Sequence, residues 1–183
     1  MLKIDPRVLR TQKLIEDAFL ELLNEKTLQT VTVGEITTRA MINRATFYDH
    51  FVDKYALFDH IVRKTFQETI RQHGLEPTCP FSQENLGRLI EATGNYFVYL
   101  NSQCPPAERQ FRPIAEGQIQ VILYEYLQNW VKEEPQDNLQ ASFLSWSIFG
   151  TFLQQIGNGQ APDVTAITNT IQELAAKVLY SES

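Results

Sequence analysis

Apolar residues recur at three- and four-residue steps along almost the whole chain, and no stretch keeps the two-residue alternation of a half-buried strand. Ile15, Ala18, Phe19, Leu22 and Leu23 mark the first such face. Asp5-Pro6 ahead of it reads as an N-cap followed by proline at the first helical position, so a first helix is predicted to about Asn24. Thr32-Val33-Gly34-Glu35 has the spacing of a capping box and opens a second helix, with Ile36 and Ala40 on one face. Met41-Ile42-Asn43 breaks the pattern. Asn43 is the predicted cap of a third helix whose inner face is Phe47 and Phe51. Asp53 caps a fourth, where Phe58, Val62, Phe66 and Ile70 follow at four-residue intervals, and Gly74 stops it after about His73.

Glu76-Pro77-Thr78-Cys79-Pro80 is a connector. After Ser82 a helix carries Leu86, Leu89, Ile90, Thr93, Phe97 and Leu100 on one face, and Gln103-Cys104-Pro105-Pro106 ends it. Ala107–Ala115 is predicted as a short helix with a break near Pro113. Ile119, Ile122, Leu123, Tyr126, Leu127 and Trp130 mark the next helix. Asp137-Asn138-Leu139-Gln140 is another capping box, opening a helix to about Ile156. Gly157-Asn158-Gly159 and Pro162 form a loop, and Val164, Ile167, Ile171, Leu174 and Val178 give a final helix. The fold class is therefore all-α.

Composition changes this picture little. Hydrophobic residues make up 43% and charged residues 21%, a globular balance. No apolar run approaches the ~20 residues that span a bilayer. The first residues lack the apolar core of a signal peptide, so a cytoplasmic location and no membrane partner are expected. Cys79 and Cys104 are too few and too distant for a zinc site, and two reduced thiols are expected. Charge changes the picture more. Residues 1–73 hold eleven Lys and Arg against ten Asp and Glu, a net of +1; residues 74–183 hold five against twelve, a net of −7. Lys3, Arg7, Arg10 and Lys13 crowd the start. A basic end joined to an acidic body points to nucleic acid at that end.

The chemistry concentrates in Thr32–Phe51. Two short helices joined by a tight turn make a helix-turn-helix, whose second helix enters the major groove and reaches base edges. Its outward face carries Arg44, Ala45, Thr46, Tyr48 and Asp49. Arg44 has the geometry to pair with a guanine edge. Thr46, Tyr48 and His50 reach phosphates, Lys54 adds another, and the helix start at Thr32 offers backbone N–H groups. With the cap Asn43, these residues are the candidate DNA-binding set.

In this segment the chain resembles the tetracycline-repressor-like (TetR/AcrR) family of regulators. The resemblance rests on Thr32, Ile36, Ala40, Ile42, Thr46, Tyr48, Phe51, Lys54 and Leu57, and covers about residues 7–60. The family's usual glycine after the turn alanine is Met41 here, which must take the turn without glycine's freedom. The small residue usual before the threonine is Ala45, a mild change. The resemblance implies an N-terminal three-helix DNA-binding domain, residues 1–53. A connecting helix joins it to a ligand-binding and dimerisation domain, residues 54–183. It also implies that the last two helices form a four-helix bundle across a two-fold axis.

The residues of the C-terminal half agree. Phe143, Leu144, Trp146, Ile148, Phe149, Phe152, Leu153 and Ile156 leave the penultimate helix apolar nearly all round, as in a helix buried on more than one side. The final helix has a narrow apolar seam, and Gly150 permits close approach. The expected dimer interface is Phe149, Leu153, Ile167, Ile171, Leu174 and Val178, so that Ile171→Glu gives a folded monomer. Phe66, Tyr96, Phe97, Phe111, Gln118, Tyr126 and Trp146 are candidate ligand-pocket residues. No catalytic set, metal spacing or phosphate loop stands out, so neither an enzyme nor a cofactor is expected. The expected partners are double-stranded operator DNA, a second copy of the chain and a small-molecule effector of unknown identity. The expected function is a repressor that a small molecule releases from a palindromic operator. The alternative is an adaptor of the same fold acting through protein binding.

Overall fold

The computed structural model describes residues 5–103, 112–130 and 137–179. Among them are eight α-helices: α1 (Pro6–Glu25), α2 (Val33–Arg39), α3 (Arg44–His50), α4 (Lys54–Gln72), α5 (Gln83–Gln103), α6 (Arg112–Trp130), α7 (Asp137–Gly157) and α8 (Val164–Leu179). The chain divides into two compact units, with one boundary inside α4 after Ile61 and Arg112 counted with the first unit. The reason is local: the first turns of α4 supply Leu57 and Ile61 to the first unit's core.

The helix starts follow the caps the sequence carries. Asp5 Oδ1 accepts the Arg7 amide at 2.8 Å, with proline inside the first turn of α1. Asp53 Oδ1 takes the amides of Tyr55 and Ala56 at 2.9 and 2.8 Å. Ser82 Oγ accepts Asn85 N–H at 3.0 Å, and Asp163 Oδ1 accepts Ala166 N–H at 3.0 Å. Each satisfies an amide that a helix start otherwise leaves without a partner. Gly74, at φ 75°, follows α4 in the left-handed conformation that ends helices. Pro113 is not a break. It lies in the first turn of α6, where a missing amide hydrogen costs nothing. Residues 107–111 of the predicted short helix lie outside the described residues.

The first unit closes on Ile15, Phe19, Leu22, Leu28, Val31, Ile36, Phe47, Phe51, Leu57 and Ile61, with Leu23, Val33, Ile42 and Phe58 packed around them. In the second unit α5 packs against both α7 and α8, and α7 against α8. Phe97 of α5 lies between Phe149 and Phe152 of α7, with centroids 5.9 and 5.8 Å away. The closeness depends on Gly94. A Cβ there would sit 2.8 Å from the Phe152 ring, which is fully buried, and 2.8 Å from Cγ2 of the half-buried Val164. Gly94→Ala is expected to destabilise the protein by about 1–3 kcal/mol through overpacking, read as a lower urea midpoint. At Gly87 the obstacle is only the amide end of Gln172, at 2.6 Å. That amide donates to Gln83 O at 2.6 Å, so displacing it costs one hydrogen bond but moves no core side chain, and Gly87→Ala serves as the milder control.

Candidate nucleic-acid interface

Thr32 opens α2 with a complete capping box. Its hydroxyl accepts Glu35 N–H at 3.3 Å, and Glu35 Oε2 accepts both the Thr32 amide and its hydroxyl at 2.9 Å. Lys26 also donates to Glu35. This bond, with those from Thr32, holds the Glu35 carboxyl down at about 2, so it stays ionised far into acid. The Thr32 hydroxyl is thus occupied inside the chain. At the other end of α2, Arg39 clamps Glu25 with two bonds of 2.6 and 3.0 Å, lowering the carboxyl and raising the guanidinium.

Between α2 and α3 the chain turns at Met41, which takes φ 54° and is 92% exposed. Left-handed backbone suits glycine and costs a side-chain-bearing residue about 1–2 kcal/mol. Glycine's greater freedom in the unfolded chain offsets part of that. Met41→Gly is therefore expected to stabilise the protein by about 0.5–1 kcal/mol, read by urea denaturation, with the helix content unchanged. The turn is closed by Ile42 N–H on Thr37 O at 3.0 Å.

Asn43 caps α3: its Oδ1 accepts the Thr46 amide at 2.8 Å and the Thr46 hydroxyl at 3.0 Å. Phe47 is fully buried, and the Phe51 ring follows it 6.0 Å away. This side anchors α3 to the core. The opposite side, Arg44, Ala45, Tyr48 and Asp49, is exposed. Tyr48 stands edge-on against Phe47, 5.5 Å between centroids, with half its surface free. His50 is half-buried, its ring 6.3 Å from Phe51. Lys54 sits closer to the protein than the sequence implies. Its ammonium donates to Gln29 O at 2.7 Å and Val31 O at 2.8 Å, and partial burial lowers its pKa. Two of its three protons fasten the start of α4 to the loop before α2, and one is left for an outside acceptor.

Sequence reasoning missed Glu16. It is buried on α1 and meets His60 Nε2 at 3.1 Å, while Gln12 lies 2.9 Å from the same nitrogen. The Phe51 ring packs 5.4 Å from His60, so this polar set supports α3 from behind.

The candidate pocket residues fall differently. Phe66, Tyr96, Phe97 and Tyr126 are buried in the second unit, and Gln118 is half-buried. The Tyr96 hydroxyl lies 2.6 Å from Thr65 Oγ1 and donates to Val62 O at 3.2 Å, and burial pushes it up to about 12. Trp146 is 59% exposed, on the outer side of α7, and does not join them. Phe111 lies outside the described residues.

Of the expected interface residues, Phe149, Ile167 and Ile171 are core residues of the chain itself. Leu153 is half-buried and Leu174 half-exposed; the side chain of Val178 lies outside the described set. The apolar positions that α7 leaves uncovered are Leu139, Phe143 and Trp146.

The sequence model of the family described as "Bacterial regulatory proteins, tetR family" matches residues 15–61, the segment holding the first core and α3. An uncharacterised HTH-type transcriptional regulator of Bacillus subtilis (strain 168), YxbF, is 28% identical over 174 residues. That is 90% of this chain, which spans 44% of the length of that relative. Among solved structures, the dihydroxyacetone kinase operon activator DhaS superposes with a TM-score of 0.58 at 17% identity. The match covers 93% of this chain and 97% of that one. The TetR family repressor AlkX from Dietzia sp. Strain DQ12-45-1b superposes at 0.56 and 18% identity, covering 92% and 97%. The order of the eight described helices, the capped α2–α3 pair and these likenesses agree: residues 15–61 match the tetR family of bacterial regulatory proteins, and the described residues have the all-helical fold of TetR regulators, with the helix-turn-helix at the N-terminal end.

Proposed function

We propose that the chain acts as a homodimeric repressor that grips a palindromic operator through α3 and is released by a small-molecule effector. One observation carries the DNA half of this reading. α3 turns Phe47 into the core and leaves Arg44, Ala45, Tyr48 and Asp49 free on the opposite side, the arrangement of a helix offered to a groove. Arg44 makes no ion pair with a described residue, so its fork is available for a guanine edge. Asn43, Thr32 and Thr46 spend their side-chain oxygens on caps, which makes them positioning residues, with Ala45 as an apolar contact. Tyr48, His50 and the remaining Lys54 proton are assigned to phosphates.

The effector is assigned to the second unit, among Phe66, Tyr96, Phe97 and Tyr126 with Gln118 as a polar neighbour. Dimerisation is assigned to the uncovered side of α7, through Phe143, Trp146 and Leu153, together with Leu174 of α8. No described helix is long and apolar enough to cross a membrane, which fits the cytoplasmic location a repressor needs.

Titration of genomic fragments at several salt concentrations tests the reading. Binding is expected to fall steeply with salt, because phosphate contacts release counterions. Arg44→Ala is expected to cost about 1–3 kcal/mol on the operator and to relax one position per half-site. Lys54→Ala is expected to weaken all sequences alike, flatten the salt slope, and lower stability by about 1–3 kcal/mol through the two lost bonds. A wild-type protein with no salt-dependent binding would favour the adaptor alternative.

A further inference from the structure

We propose that Asp49 reads a base directly, selecting a cytosine in each operator half-site; the proposal rests on the operator-binding reading above. Two acids lie between Thr32 and Phe51. Glu35 is held by Thr32 and Lys26 and closes the α2 cap. Asp49 is exposed and makes no hydrogen bond or ion pair with any described residue. It caps nothing, unlike Asp53 four residues later, which takes two amides of α4.

Its position on α3 gives the carboxylate an address. At about 100° per residue, Arg44, Tyr48, Ala45 and Asp49 fall in that order across an arc of roughly 140°. Phe47 points away from the centre of that arc into the core. Arg44 and Asp49 therefore flank one continuous exposed face, with Ala45 and Tyr48 between them. A helix that brings Arg44 to a base edge brings Asp49 to the same groove.

An unpaired carboxylate there is repelled by every phosphate it approaches, so it opposes non-specific binding. A carboxylate accepts hydrogen bonds and donates none. The major groove offers it two donors, the amino groups of cytosine and adenine. The adenine amino group lies between two acceptors, its own N7 and the thymine O4, which repel the carboxylate. The cytosine amino group has an acceptor on one side only, the guanine O6. Cytosine is thus the base at which Asp49 recovers the water it gives up. The face then carries one cation for guanine and one anion for cytosine, and favours a half-site with two distinct G·C contacts.

The test is selection of binding sites from randomised duplex DNA with the full chain, its Asp49→Ala and Asp49→Asn variants, and Arg44→Ala for comparison. Titrations on the winning site and its single-base changes follow. The wild type is expected to demand cytosine at one position per half-site that Arg44→Ala does not affect. Thymine there should weaken it about tenfold. For Asp49→Ala that ratio should fall below about twofold, with binding to unselected duplex equal or tighter. Asp49→Asn, which keeps the size of the side chain and adds a donor, should move the preference toward adenine. If both Asp49 variants select the wild-type site unchanged, Asp49 is a solvated surface acid and the proposal falls while operator binding stands. If the wild type selects no site at all, the operator reading falls and takes this one with it.

Discussion

Ile171→Glu is expected to collapse the second unit rather than yield a folded monomer. Ile171 is only 6% exposed within the single chain, on a helix whose neighbours are α5 and α7. Ile167 and Ala175, one turn away on either side, are buried with it. A glutamate here escapes charge burial only by staying protonated. Holding a carboxyl of ordinary pKa near 4.3 neutral at pH 7 costs about 4 kcal/mol. Losing the buried isoleucine adds about 1.5–3 kcal/mol. The sum is comparable with the whole stability of a typical domain, about 5–15 kcal/mol. Circular dichroism at pH 7 should show reduced helix content, with partial recovery near pH 4, where protonation no longer has to be forced. A variant with wild-type helicity and urea midpoint would show that this face of α8 is not closed in the chain.

The contrast with the expectation from sequence is instructive. The caps at Asp5, Thr32, Asn43 and Asp53 are short-range devices, each fixed by residues two or three positions apart. They were legible, and so were the helices they start. Met41 was legible too, through the resemblance, which implies a glycine at this turn and so a backbone that favours glycine's freedom. What sequence cannot assign is which side of an apolar helix a neighbour covers. α7 reads as apolar nearly all round, and only packing against α5 and α8 separates Leu144, Ile148, Phe149 and Phe152, inside, from Phe143 and Trp146, outside. The apolar seam of α8 suggests a second copy as its partner, yet Ile167 and Ile171 are buried within the single chain, where α8 packs against α5 and α7, while Leu174 stays half-exposed. Glu16 was missed for a related reason. Its partner His60 is 44 residues away, and no local pattern marks a buried acid on an apolar face. Lys54 was singled out for a phosphate, but its two backbone acceptors lie 23 and 25 residues earlier, beyond any spacing rule.

The second large effect is expected from Phe143→Glu and Trp146→Glu, made singly and together. On α7 the positions Leu139, Phe143, Trp146, Gly150 and Leu153 follow in alternating steps of four and three, the spacing of a seam between two helices. Leu139, Phe143 and Trp146 are 74%, 52% and 59% exposed in the single chain, and a Cβ on Gly150 would meet nothing within 4 Å. Contiguous exposed aromatic surface of this kind marks an interaction site. A second copy presenting the same stripe about a two-fold axis would cover it, with Gly150 allowing close approach. Because both aromatics are half-exposed, charging them should cost the folded chain little, within about 1 kcal/mol. In a dimer the same charges would face their own copies across the axis, where like charges oppose each other without water to screen them. Light scattering after gel filtration is therefore expected to show half the wild-type mass with an unchanged helical spectrum. Operator affinity should fall by about 10²–10⁴, because the second half-site is no longer engaged at the high effective concentration that a joined pair provides. Arg44→Ala weakens one contact per half-site and keeps the pair, so its loss should be smaller and confined to one base position. A doubly charged variant that keeps the wild-type mass would place the interface on another surface and leave the α7 stripe unexplained.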